Sequence, residues 1–193
     1  MNNIVVFPGS FNPITTAHTS IISNIINTLE DSLGIVLPVG NNYNKEELID
    51  FSHRFNMITL ALRNHTNVIV SDFENQEVQP KTIMSLNHFY KIYKTNIYLV
   101  IGSDNLATFD KWYQAEELLK NYNIIVINRL DDIDNIINSS NLLSKYSNKI
   151  NIFTDNKYPY ISSSNVRKQY NLHKSDIDPL VHKYIKENKL YTK

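Results

Sequence analysis

Short apolar runs alternate along the chain with longer stretches whose hydrophobic residues recur every three or four positions. The runs Ile4–Phe7, Ile35–Val39, Val68–Val70, Ile97–Ile101, Ile124–Ile127 and Ile150–Phe153 are nearly continuous. That pattern predicts strands covered on both faces of a parallel sheet. Between the first two runs, Ile21, Ile22, Ile25, Ile26 and Leu29 make a helical stripe. Phe55, Ile58, Ala61 and Leu62 make a second, and Ile83, Leu86, Phe89, Tyr90 and Tyr93 a third. Ala115–Leu119 and Asp132–Tyr146 read as further helices, and Pro179–Asn188 as a late one with proline in its first turn. Repeated strand-helix units imply an open α/β parallel sheet with helices on both faces and right-handed crossovers. A length of 193 residues predicts one domain over 1–193, with a small helical part over about 160–193.

Composition narrows the functional classes. Lys+Arg and Asp+Glu both number 19, so the formal net charge is zero. A broad electrostatic footprint for nucleic acid is disfavoured. There is no cysteine, which excludes disulfides, thiolate zinc sites and a thiol nucleophile and fits a reducing, cytoplasmic setting. No apolar run approaches the roughly 18 residues of a membrane span, and the N-terminal run lacks the basic flank of a signal peptide. His53, His65, His88, His173 and His182 have no metal-like spacing and read as surface or structural. The acidic run Asp131-Asp132-Ile133-Asp134 reads as a loop and helix start.

Three of the four glycines, Gly9, Gly40 and Gly102, fall at or just after the ends of predicted strands. Ligands of open α/β sheets bind at that edge. The segment Pro8–His18 after the first strand is neither a GxGxxG nor a Walker A loop. It offers a helix N-terminus, hydroxyls at Thr15 and Thr16, and His18 in the first turn. Such a terminus favours a phosphate. The same residues also suit a plain N-cap with a surface histidine, and spacing does not separate the two.

Gly9–His18, GSFNPITTAH, resembles the G-x-F-x-P-x-(H/T)-x-x-H signature of the nucleotidylyltransferase superfamily. Ile161–Arg167, ISSSNVR, resembles its second signature, I-S-S-T-x-(I/V)-R, with Ser164 in place of Thr. The interior is similar to the nicotinamide/nicotinate mononucleotide adenylyltransferases. Leu37–Lys45 with His53-Arg54 resembles their second-strand segment. Gly102-Ser103-Asp104 with Trp112 and Glu116–Leu119 resembles their G-(A/S)-D-x-L…W…E-x-L segment. Asn128-Arg129 and the ending Tyr184–Tyr191 also fit. Bacterial nicotinate-type members usually carry His at the position of Thr15 and Asp at that of Asn12. Eukaryotic-type members and phosphopantetheine adenylyltransferases use Thr. The eukaryotic type has a ring-holding aromatic residue near Gln79, which this chain lacks.

The resemblance implies a Rossmann-like nucleotidylyltransferase fold and transfer of the adenylyl group of ATP to nicotinate or nicotinamide mononucleotide, with pyrophosphate leaving. It implies Mg²⁺ accompanying ATP, with no protein metal site, and as partners ATP and a pyridine mononucleotide. Nucleic acid and membrane are not implied, and a homo-oligomer stays open. His18, Thr15 and Arg167 are the expected catalytic residues. Gly9, Ser10, Phe11, His18, Gly102, Asp104, Ser162, Ser163 and Arg167 would bind ATP, and Ser10, Lys45, Thr82 and Trp112 the mononucleotide. Thr82 would face the ring substituent or merely begin a helix. Asp104 would accept from ribose or adenine or cap the next helix. Trp112 would stack on the pyridine or pack against the sheet. The alternatives are a sibling enzyme with another acceptor, such as phosphopantetheine, and a non-catalytic nucleotide-sensing module.

Overall fold

In the computed structural model, which describes residues 1–45, 47–128, 131–154, 157–158 and 160–191, six strands form one parallel sheet. They are β1 (Asn3–Gly9), β2 (Ser32–Pro38), β3 (Val68–Val70), β4 (Asn96–Gly102), β5 (Asn123–Asn128) and β6 (Ile150–Thr154). Their spatial order is β3-β2-β1-β4-β5-β6, so the order reverses between β1 and β4. That is the doubly wound arrangement, which leaves a crevice at the carboxyl ends of the two central strands.

Two cores explain the continuous apolar runs of the central strands, whereas the edge strands β3 and β6 are not covered on both faces as expected, and Ile69 and Ile152 face solvent there. Along β1, Ile4 and Val6 enter the core on one face, and Val5 and Phe7 enter the other. Both parities must be apolar because successive side chains point to opposite faces. Helices α1 (Thr16–Thr28) and α2 (Phe51–Leu62) cover one face, while α3 (Thr82–Tyr93), the short α4 (Ser103–Leu106) and α5 (Ala115–Asn121) cover the other. The stripe Ile21, Ile22, Ile25 and Ile26 is the buried side of α1.

One expected element differs. The stretch expected as a helix over Asp132–Tyr146 is two short helices, α6 (Ile133–Asn138) and α7 (Asn141–Lys145). Ser139-Ser140 separates them because the Ser140 hydroxyl caps α7, accepting from the Leu143 N–H at 3.0 Å. The acidic run has structural partners: Asp132 caps α6, accepting from the Asn135 N–H, and Asp131 accepts from the Ser103 hydroxyl.

The last elements are α8 (Ser163–Lys168), α9 (Tyr170–His173) and α10 (Pro179–Glu187). Val166, Val181 and Ile185 join the same core as α1 and α2. Asp178 caps α10 and pairs with Arg63 at 2.9 Å. The Tyr184 hydroxyl meets His53 Nδ1 and Asn56 Nδ2, both at 3.0 Å. Past α10, Lys189 takes a left-handed conformation (φ 51°) and the Leu190 N–H returns to the Ile185 carbonyl. This turn redirects Leu190 and Tyr191 toward the end of β1.

Candidate active site

A cavity of about 540 Å³ opens at the sheet edge where the strand order reverses. Gly9, Ser10 and Phe11 line it from the end of β1, and Gly102 and Asp104 from the end of β4. His18, Lys45, Thr82 and Trp112 complete the set of expected site residues on its wall. A second hollow of about 430 Å³ meets it along Tyr43, Gln79, Pro80, Thr82 and Trp112, and adds Lys81 and Tyr113. Thr82 does begin α3 and also lines both hollows.

His18 is oriented by its own helix start. Thr15 is the N-cap of α1, and His18 Nδ1 lies 3.1 Å from the Thr15 N–H and 2.7 Å from its hydroxyl oxygen. Both contacts are hydrogen bonds only if Nδ1 is the acceptor. The neutral ring then carries its proton on Nε2. Phe11 packs edge-on to the imidazole at 5.3 Å and fixes the other side of the ring. Thr15 is buried and its hydroxyl is engaged with His18, so the structure keeps it off the cavity wall.

Across the mouth, Lys45 Nζ donates to the Ser10 hydroxyl at 2.9 Å. This ties the loop after β2 to the loop after β1 and places an ammonium at the donor-rich end. At Gly102, which has an ordinary extended backbone, the Asp104 carboxylate lies in the space that a Cβ would take. Asp104 lies in the first turn of α4, whose N-cap is Gly102.

The residues of the second signature lie beside the cavity and not on its wall. The Ser162 hydroxyl caps α8, accepting from the Asn165 N–H at 3.1 Å. The Ser163 hydroxyl donates to the Pro13 carbonyl at 2.8 Å, and Arg167 Nη1 donates to the Asn12 carbonyl at 2.8 Å. Ser163 and Arg167 thus bond the loop after β1, while the Ser162 side chain caps its own helix.

Arg54, to which sequence reasoning gave no role, works from behind the same loop. It is fully buried, and its Nε donates to the Ile49 carbonyl, while Nη1 donates to the carbonyls of Ser10 (3.2 Å) and Val39 (2.7 Å). Its signal was an arginine on the apolar stripe Phe51, Met57, Ile58. Glu74 was also missed. Its buried carboxylate accepts from Ser85 Oγ (2.8 Å) and Gln79 Nε2 (2.7 Å), and Gln79 Oε1 accepts from the Gly40 N–H (3.0 Å). Burial pushes the Glu74 carboxyl above its usual range despite both donors. A Cβ on Gly40 would strike the Glu74 carbonyl, so glycine lets these two loops touch.

Trp112 packs against the core, as one of the two sequence readings expected, and its position on the cavity wall is compatible with the other. One face stacks on Phe109 (5.0 Å, 23°) against the core, and the residue also borders both hollows. The remaining histidines have local partners: His53 meets Tyr184, His65 meets Ser23, His88 stacks on Phe73, His173 pairs with Asp176, and His182 meets Tyr170. Among the described residues no three His, Asp or Glu side chains form a metal-like group, and no helix is long and apolar enough to cross a membrane. Arg129 lies outside the described residues.

Comparison with known proteins agrees with this geometry. Residues 6–169 match the cytidylyltransferase-like family model. The chain is 35% identical over 191 residues to an Acholeplasma laidlawii protein described as a probable nicotinate-nucleotide adenylyltransferase, covering 97% of each chain. A Caldicellulosiruptor bescii protein with the same description is 35% identical, with 97% of this chain and 98% of that one covered. The structure of Plasmodium falciparum nicotinic acid mononucleotide adenylyltransferase complexed with NaAD superimposes with a TM-score of 0.83 at 26% identity, covering 99% of this chain and 98% of that one. The chain therefore belongs to the cytidylyltransferase-like family and, within it, to the nicotinate-nucleotide adenylyltransferases.

Proposed function

We propose that this enzyme transfers the adenylyl group of ATP to nicotinate or nicotinamide mononucleotide, releasing pyrophosphate and forming the dinucleotide. The observation that carries this reading is the pairing of a phosphate-suited end with a ring-suited end in one crevice: His18, Ser10 and Lys45 at the one, Trp112 and Thr82 at the other. The mononucleotide phosphate is already an anion at neutral pH, so its attack on the α-phosphorus needs no general base. The reaction needs alignment and donors where charge develops.

His18 Nε2–H is the donor assigned to the α-phosphate, with Ser10 and the Lys45 ammonium beside it. Thr15 serves by holding His18, Arg167 and Ser163 by holding the loop, and Ser162 by capping the helix that carries them. Gly9, Phe11, Gly102 and Asp104 shape the nucleotide side. Trp112 offers a π-face to the pyridine, and Thr82 stands next to it. ATP enters as its magnesium complex, the cation riding on phosphate oxygens and retaining waters. The cytoplasmic setting expected of a cysteine-free chain belongs to the same proposal.

The test is pyrophosphate release with ATP and Mg²⁺ and, in turn, nicotinate mononucleotide, nicotinamide mononucleotide and phosphopantetheine. Release with a pyridine mononucleotide is the expected result. Release with phosphopantetheine alone, or ATP binding with no release for any acceptor, would overturn the reading.

A further inference from the structure

Ser10 and Phe11, the first half of the segment Ser10–Pro13, line the cavity, and the conformation of the segment is imposed from outside. Phe11 has a positive φ of 45°, uncommon for a bulky residue and sustained only where neighbours hold it. The carbonyls of Ser10, Asn12 and Pro13 are each taken by a side chain from another element: Arg54, Arg167 and Ser163.

The side chain at the centre of the segment is Asn12, which is 1% exposed. Its Nδ2 donates to the Glu47 carbonyl at 2.8 Å, which fixes the amide orientation and turns Oδ1 the other way. That oxygen accepts from the Tyr191 hydroxyl at 2.7 Å. Burial holds the Tyr191 phenol far above its usual range, so it stays a proton donor. An aspartate at position 12 would set a carboxylate against the Glu47 carbonyl. The asparagine found here suits both neighbours.

We propose that Tyr191 is a positioning residue for adenylyl transfer, acting through Asn12 on the Ser10–Pro13 segment. The proposal rests on the function given above. Tyr191 itself does not line the cavity. Its ring packs with the core that holds α1 and α10, while its hydroxyl reaches the loop. One side chain thus links the turn past α10 to the phosphate loop. Removing the hydroxyl leaves the buried Asn12 oxygen without its partner, and the loop relaxes to satisfy it. Small displacements of aligned groups weaken the chemical step before they weaken ground-state binding.

The experiment is a double-mutant cycle with Tyr191→Phe, Asn12→Ala and the double variant. Steady-state pyrophosphate release is measured, together with calorimetric binding of α,β-methylene-ATP and thermal melts. Tyr191→Phe keeps the ring and is expected to lower kcat about tenfold with the acceptor KM within about twofold, the size of one buried hydrogen bond. In the Asn12→Ala background the same change should move kcat less than about twofold, because the effect passes through Asn12. A folded Tyr191→Phe protein with wild-type kcat, or equal losses in both backgrounds, would overturn the proposal. Should the wild type release no pyrophosphate with any acceptor, the function fails and the cycle is read from analogue binding alone. Non-additive losses there support the Tyr191–Asn12 link, and additive ones reject it.

Discussion

The Thr15 backbone N–H points at Nδ1 of His18 from 3.1 Å, and the Thr15 hydroxyl oxygen lies 2.7 Å from the same nitrogen. A residue three positions before the histidine therefore sets which of its nitrogens carries the proton. Both polar groups of Thr15 are engaged with His18, so in this structure Thr15 orients the histidine ring.

His18→Ala is expected to lower kcat by a factor of about 10²–10³, the loss typical of one well-placed donor, with the acceptor KM changed far less. Thr15→Val retains the backbone donor and loses the hydroxyl, so it should cost only about tenfold, and Thr15→Ser should stay close to wild type. Stopped-time pyrophosphate assays on folded variants measure all three. Near-normal turnover in His18→Ala would remove the histidine from the chemistry.

Much of this arrangement was legible in the sequence. Burial on both faces makes β1 apolar at every position, and such runs announced a two-sided sheet, though the apolar runs of the edge strands β3 and β6 leave Ile69 and Ile152 exposed. The first signature contributes Gly9, Ser10, Phe11 and His18 to the cavity wall, and the second lies beside it. Sequence motifs do not give the hydrogen bonds that Thr15, Ser163 and Arg167 make to His18, to the Pro13 carbonyl and to the Asn12 carbonyl, because those depend on side-chain geometry. Glu74 gave no signal because it lies in a polar loop and its burial comes from Gly40 and Ser85, distant in sequence. The break between α6 and α7 was missed because helical periodicity continues across it. Only the capping geometry of Ser140, whose hydroxyl also donates to the Asp110 carboxylate at 2.8 Å, interrupts it.

Arg167→Lys is expected not to be conservative. The guanidinium bonds the Asn12 carbonyl through Nη1 and faces the Glu47 carboxylate through Nε at 3.7 Å, two directions that one ammonium cannot serve. With the loop released, α,β-methylene-ATP should bind about tenfold more weakly by calorimetry. Unchanged affinity would mean that the second signature serves the fold and not the nucleotide.

Glu74 predicts a pH dependence of stability. Its carboxyl is raised from the ordinary 4.5 by burial, which disfavours the ionised form in the folded state. Between 4.5 and the raised value the folded protein holds more protons than the unfolded one. The contribution of Glu74 is therefore fully present below pH 4.5 and is lost as pH rises through the folded pKa. The Tm difference between wild type and Glu74→Gln should be larger at pH 5 than at pH 8. An equal difference at both pH values would show that Glu74 does not titrate on unfolding.

Acceptor choice turns on Trp112 and Lys81. Trp112 offers a π-face, which serves a nicotinate and a nicotinamide ring alike, so Trp112→Ala should raise both mononucleotide KM values by roughly 2- to 12-fold. Discrimination needs a group that distinguishes a carboxylate from an amide. Lys111 is next to Trp112 in the chain but lines neither hollow. The structure adds Lys81, the N-cap of α3, which lines the second hollow together with Thr82 and Trp112. Its side chain is exposed, so the attraction it offers a carboxylate is modest and screened by salt. Wild type should accept both mononucleotides. Lys81→Ala should raise the KM for nicotinate mononucleotide about two- to fivefold at low ionic strength, leave nicotinamide mononucleotide unaffected, and lose most of that difference in about 0.5 M salt. Equal changes for both acceptors would mean that Lys81 shapes the hollow without reading the ring substituent. A Trp112→Ala defect confined to one acceptor would give the discrimination to the indole instead.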